Sequence, residues 1–233
     1  MSTRSGAPRT RQGRLPKSDL TRRRILEAAL RLFNERGSSA VSTNHIAAEA
    51  GISPGNLYYH FRDKPEIIRA LHADYAAAHE DLWQPGPDAR QNLATLRQNV
   101  ATGMDLAAAY RFLGREILAL LQADPQLRAS YQAVYERRLG QWLAFGDQLV
   151  AQGAARAPRP PRTTADLAVA IWLVSENWLS FLDVTGDPAD PAQVARGADL
   201  ILAVLEPYLT AAPPPPDGGQ AARSHRHPVA SKE

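Results

Sequence analysis

The chain has 233 residues, 44% hydrophobic and 22% charged, an ordinary globular composition with enough length to bury a core without covalent staples. It has no cysteine, which excludes disulfides, thiolate catalysis, Cys-based zinc sites and cysteine redox sensing. The net charge of +3 is uneven: residues 1–64 carry +7 and residues 65–233 carry −4, so one part is suited to a polyanion and the rest is not.

Residues 1–16 hold Arg, Ser, Gly and Pro without periodicity and read as the bulk of a disordered basic arm over 1–17. A first helix is predicted over 18–36, with Leu20, Ile25, Ala28, Ala29, Leu32 and Phe33 in one stripe and Gly37 as its stop. Ser42 or Thr43 caps a short second helix that ends at Gly51. Ser53 as cap and Pro54 at the first position start a third, which runs to His60. Asp63, with Glu66 three residues on, caps a fourth that extends to Trp83 before Pro85-Gly86-Pro87 breaks the chain. Further helices are predicted at 88–107, 109–122, 125–152, 163–183 and 189–210, with a Pro-rich loop at 157–162 and a Pro-rich disordered tail over 211–233. The fold class is all-α, with a compact set of N-terminal helices followed by a larger helical unit, about nine helices in total.

The pair at 42–61 carries the functional signal. Two short helices joined by Gly51-Ile52 make a helix-turn-helix, with Ala47 small at the crossing and Ile52 plugging the turn. The second helix of such a unit lies in the major groove with its first residues at base edges. Here those are Ser53, Pro54, Gly55 and Asn56, followed by Tyr58, Tyr59 and His60. Asn reads adenine bidentately, and tyrosine hydroxyls and helix N-termini suit phosphates. For Tyr58 the alternative is a core aromatic, and for His60 a helix cap.

The run Arg24-Ile25-Leu26-Glu27-Ala28-Ala29 through Leu32, Phe33 and Gly37, then Ser42-Thr43, Ile46-Ala47 and Ala50-Gly51-Ile52-Ser53, then Leu57-Tyr58-Tyr59-His60-Phe61 and Lys64, resembles the tetracycline-repressor family over residues 18–79. That resemblance implies a homodimeric regulator, usually a repressor released by a small ligand. It places Thr43 and Asn44 against DNA at the start of the second helix, and Gly55, Asn56, Tyr58, Tyr59 and His60 on the recognition surface. It sets Lys64 on a phosphate, and it makes residues 80–210 the sensing and dimer unit, with the last two long helices as the dimer interface. A twofold dimer reads a palindromic operator.

The helix at 163–183 is apolar nearly all round in its first half, as a helix buried on more than one side must be. Aromatics of the middle helices, interrupted by Arg111, Arg115, Glu116, Glu176 and Asn177, suggest a cavity for a small hydrophobic ligand, with Tyr135 and Trp142 among its walls. Glu176 is the leading polar candidate, since a buried carboxylate needs a partner. No catalytic motif is found: G-x-S-x-G, Walker A and G-x-G-x-x-G are absent, and His79-Glu80 lacks the second histidine of a zinc-protease motif. No cofactor and no metal is expected. Without an apolar run at the start, and with apolar stretches broken by charge, no membrane is expected and a cytoplasmic location follows. The alternative to a ligand-released repressor is a dimeric activator, or a regulator without a ligand.

Overall fold

A computed structural model describes residues 16–80, 82–84 and 86–210. Among these residues there are nine α-helices and no strand, in keeping with the all-α expectation. The tail at 211–233 lies outside the described residues, as does the basic arm except for its last two, and Lys17 is already the first residue of a helix.

Helix α1 (Lys17–Arg36) buries Ile25, Leu26, Ala28, Ala29, Leu32 and Phe33. Leu20, expected on that stripe, is instead 39% exposed. Gly37 ends α1 at φ 80°, a left-handed backbone that only glycine adopts without strain. Helix α2 (Thr43–Glu49) starts in a capping box: His45 N–H donates to Ser42 Oγ, and Ser42 N–H donates to His45 Nδ1. Gly51, at φ 66°, turns the chain into α3 (Pro54–His60), where Asn56 N–H donates to Ser53 Oγ. Helix α4 (Lys64–Glu80) is entered through Asp63, which accepts from Glu66 N–H at 2.8 Å. The return bond of this box lands one residue early, on Arg62 N–H rather than Asp63 N–H.

Helix α4 ends three residues before the expected Trp83. The chain leaves the helix there because Trp83 is buried against Trp142 and Phe145, at ring-centroid distances of 5.8 and 5.6 Å. The remaining helices are α5 (Ala89–Ala109), α6 (Arg111–Ala123), α7 (Pro125–Ala151), α8 (Thr164–Thr185) and α9 (Pro191–Leu205). The last expected helix stops at 205 rather than 210. Pro207 brings no N–H to the next turn, so the backbone tightens into a single 3-10 turn, Glu206–Tyr208.

Two cores form. The first joins α1 to α4 and continues into Phe112, Leu113 and Leu127 of α6 and α7, so packing does not stop at residue 79. The second gathers Trp83 with α5, α7, α8 and α9. Only part of α8 is inside it. Val169, Leu173, Phe181 and Val184 are exposed along one face of the single chain. Helix α8 is long and apolar enough, by length and composition alone, to cross a membrane, although Glu176 interrupts its apolar run.

Candidate nucleic-acid interface and ligand cavity

Leu57 of α3 is fully buried and anchors that helix on the first core. Everything on its other side is open. Tyr58 is 52% and Tyr59 81% exposed, so neither is a core aromatic. Gly55 has nothing within 4 Å of where a Cβ would stand, and Asn44, Ser53, Pro54 and Asn56 are exposed. The face is braced rather than loose: the hydroxyls of Thr43 and Tyr58 lie 3.0 Å apart and tie α2 to α3. His60, half-buried, meets the Tyr59 ring edge-on at 5.2 Å. Ser53 spends its hydroxyl on the helix cap, which leaves it a positioning role. Lys64 Nζ donates to Ser38 O at 2.7 Å and Val41 O at 3.0 Å, so two of its three protons hold the loop between α1 and α2.

Arg111, Arg115 and Glu116, expected as ligand contacts, line none of the interior chambers. They point the other way, onto the end of α1. Arg115 donates to Phe33 O at 3.0 Å, and Arg111 reaches Asn34 O at 3.4 Å. Glu116 accepts from Ser38 N–H at 3.0 Å and from its hydroxyl, and its Oε1 would stand 3.0 Å from any Cβ at residue 37, a second reason for Gly37. The reason is rotational: α6 turns its polar face to the C-terminal end of α1, where Phe33 O already accepts from Gly37 N–H and the backbone groups beyond it have few partners within the helix. Asn34 completes the seam, donating to Ala109 O and accepting from Phe112 N–H. Farther along, Arg69 of α4 pairs with Asp124, the cap of α7. Burial pushes Asp124 up, but hydrogen bonds from Leu127 N–H, Arg69 and Gln126 N–H outweigh this and hold it below the usual carboxylate range.

Asn177 is also outside the cavity. It is exposed in the middle of the Val169–Leu173–Phe181–Val184 face, with its amide donating to Leu173 O at 2.9 Å.

The interior of the second module holds three chambers that share walls. Two are small, about 20 and 30 Å³, and both are lined by Tyr75, Arg138, Trp172, Ser175 and Glu176, so that they hold the polar groups of this interior. The third, about 90 Å³, is an apolar slot between α5, α7, α8 and α9, with Trp142 and Ile171 in the wall it shares with the second chamber. Glu176 faces Tyr131 Oη at 3.5 Å; burial pushes its pKa up, against the pull of Arg138 and Tyr131. Tyr135 packs edge-on to Trp172 at 4.8 Å, behind the wall rather than in it.

The groups that dominate this interior are ones the sequence reading did not name. Arg138 is 5% exposed and lies over the rings of Tyr75 and Trp172, 5.1 and 5.6 Å from their centroids. His72 and His79 of α4 are buried, and burial, reinforced by Arg138, pushes each down to about 4, so both are neutral near pH 7. His79 Nδ1 donates to Tyr75 O at 3.0 Å. A signal existed: Arg138 stands on the apolar stripe of α7 between Val134 and Trp142, and His72 and His79 stand on that of α4, where a polar residue must face inward.

Residues 25–71 match the N-terminal domain of "Bacterial regulatory proteins, tetR family", and residues 74–213 match "TetR: Bacterial transcriptional repressor". The chain is 50% identical over 119 residues to a helix-turn-helix transcriptional regulator of Staphylococcus aureus (strain USA300), covering 51% of this chain and 62% of that one. Over 51 residues it is 47% identical to the transcriptional regulator AcrR of Shigella flexneri, covering 22% and 24% of the two chains. The matched segments thus span less than two thirds of these relatives' own lengths. Among solved structures, a TetR-family regulator from Marinobacter aquaeolei VT8 superposes with a TM-score of 0.67 at 32% identity, covering 84% of this chain and 92% of that one. The helix-turn-helix, the helical module behind it and these matches agree: the chain belongs to the tetracycline-repressor family of DNA-binding transcriptional regulators, which are not enzymes.

Proposed function

We infer that this chain is a ligand-responsive repressor that acts in the cytoplasm, binding a palindromic operator as a homodimer and releasing it when a small molecule enters the second module. The observation that carries this is the double duty of α4. Its first residue, Lys64, holds the DNA-reading unit at the loop before α2, while His72, Tyr75 and His79 on the same helix face the chambers. A change in the chambers therefore moves a helix that bears on α3. On the reading surface, Asn56 supplies base contact, with Thr43, Asn44, Gly55, Tyr58, Tyr59 and His60 around it and the third Lys64 proton toward a phosphate.

The outward face of α8 supports the dimer. Val169, Leu173, Asn177, Phe181 and Val184 recur every three or four residues and make one stripe, suited to a second copy. A single amide in such a seam fixes register, which gives Asn177 a role at the interface.

The test is selection of fragments from genomic DNA by purified full-length protein at ~150 mM salt, where phosphate-only binding is suppressed. A palindrome is expected, with half-sites about one helical turn or a simple multiple apart. Lack of enrichment both before and after unfolding and refolding to strip bound ligand would refute the operator reading.

A further inference from the structure

Arg138 is the unusual group of this interior. A guanidinium never gives up its charge in a protein, so burying it demands a partner. Yet no carboxylate oxygen of the described residues lies within 4.0 Å of it. Its Nε and Nη2 are buried without any hydrogen-bond acceptor. Those two N–H groups form one edge of the guanidinium, the side-on fork that matches the two oxygens of a carboxylate. Glu176 and the Tyr75 hydroxyl are near enough to be felt, but Glu176 faces Tyr131 and neither accepts from Nε or Nη2. The side chains of Trp142 and Ile171 form a shared wall between the chamber that holds this charge and the slot beyond, whose own walls are almost wholly apolar.

We propose that the ligand of this chain is an amphipathic monocarboxylate, its carboxylate held side-on by Nε and Nη2 of Arg138 and its apolar tail lying past Trp142 in the slot between α5, α7, α8 and α9. This rests on the ligand-responsive reading above and names the class of molecule that acts there. A cationic ligand is disfavoured because the guanidinium already occupies the faces of Tyr75 and Trp172 that would receive it. A neutral amphiphile fills the slot and leaves the fork empty. A dianion brings a second charge with no second cation to meet it, since both buried histidines are neutral near pH 7. The chamber around Arg138 is water-sized, so a carboxylate enters only by pushing the rings of Tyr131 and Trp172 aside. The wall that yields includes His72 and Tyr75, which are residues of α4.

The experiment is calorimetric titration of the full-length protein at pH 7.5 with octanoate, 1-octanol and octyltrimethylammonium. Octanoate is expected to bind saturably and at least roughly tenfold more tightly than either of the others, the worth of a charge-assisted pair of hydrogen bonds. Arg138→Gln, with its fold checked by circular dichroism, is expected to remove that preference and leave octanoate no better than octanol. Leu167→Trp, on a part-exposed wall of the slot and well away from the charge, is expected to shift the preference from octanoate to hexanoate. It keeps the proposal testable if Arg138→Gln does not fold. Equal binding of octanol, tighter binding of the ammonium compound, no binding of octanoate, or an unchanged Arg138→Gln profile would each overturn it. Octanoate that binds but leaves operator affinity unchanged would sink the ligand-responsive reading alone. Operator release by a cell extract, with no octanoate binding, would sink the carboxylate alone.

Discussion

Asn56 and Lys64 lie on the same module yet do different work. Asn56 is exposed, and its side chain is not committed to any bond in the structure, so it is free to meet a base. Asn56→Ala is expected to cost ~1–3 kcal/mol on the selected operator and much less on unrelated DNA, measured by competition binding. Lys64 already supports the loop before α2 through two carbonyls, so its replacement has two consequences. Lys64→Ala is expected to weaken binding to all DNA alike and lower the salt slope by about one. It should also lower stability by roughly 1–3 kcal/mol, because buried carbonyls lose a charged donor. A melt of the variant separates the second effect from the first; an unchanged melting temperature would mean that the lysine does not serve the loop.

At the scale of the element, α6 and α8 each present a face whose purpose the tertiary structure decides. Glu116 of α6 satisfies both the backbone and the hydroxyl of Ser38 at the end of α1. Glu116→Ala strands these donors and is expected to destabilise the protein by about 1–3 kcal/mol. It should also reduce the ratio of operator affinities without and with ligand, since α6 lies beside the chambers and bears on the DNA module. Helix α8 shows Phe181 at 55% exposure on a stripe that is apolar apart from Asn177. Phe181→Glu puts a charge where a second copy is proposed to sit, and sedimentation at micromolar concentration is expected to show monomers. A persistent dimer would place the interface elsewhere.

For the whole molecule, the two buried histidines set an acid limit. His72 and His79 have folded pKa values of about 4, against 6.5 when free. Between those values the unfolded chain binds more protons than the folded one. Their contribution is therefore complete above pH 6.5 and is lost as pH falls toward 4, to a ceiling of about 3 kcal/mol for each. Glu176 works in the opposite sense, because burial raises its pKa and acid relieves the penalty of its charge. The melting temperature is expected to drop between pH 7 and pH 5, and His72→Gln with His79→Gln is expected to flatten that drop. An equally steep profile in the double variant would assign acid sensitivity to other groups. Acid also places protons beside Arg138, so the proposed carboxylate pairing and the stability limit share one interior.

The helices and the helix-turn-helix were legible in the sequence because their causes are local. Stripes at 3.6-residue spacing, Ser42 and Ser53 as caps, Pro54 at a first position and glycine at residues 37 and 51 act over one or two turns, and all appear where they were read. Helix ends were less legible where a distant partner decided them: Trp83 left α4 for Trp142 and Phe145, which come some sixty residues later in the chain. The interior was least legible. Periodicity says that a side chain faces inward but not what it faces, so Arg111, Arg115 and Glu116 could be read as cavity residues when the rotation of α6 turned them to α1. Arg138 was passed over for the converse reason. An arginine on an apolar stripe ordinarily lays its stem on the core and carries its charge to water. Only the packing of α4, α7 and α8 around it closes that route and leaves the fork buried without a partner. The sequence by itself determined the helices and the DNA-reading unit, since these rest on neighbours in the chain. The cavity, its buried charge and the outward face of α8 were decided by tertiary structure, since each depends on which distant surfaces meet.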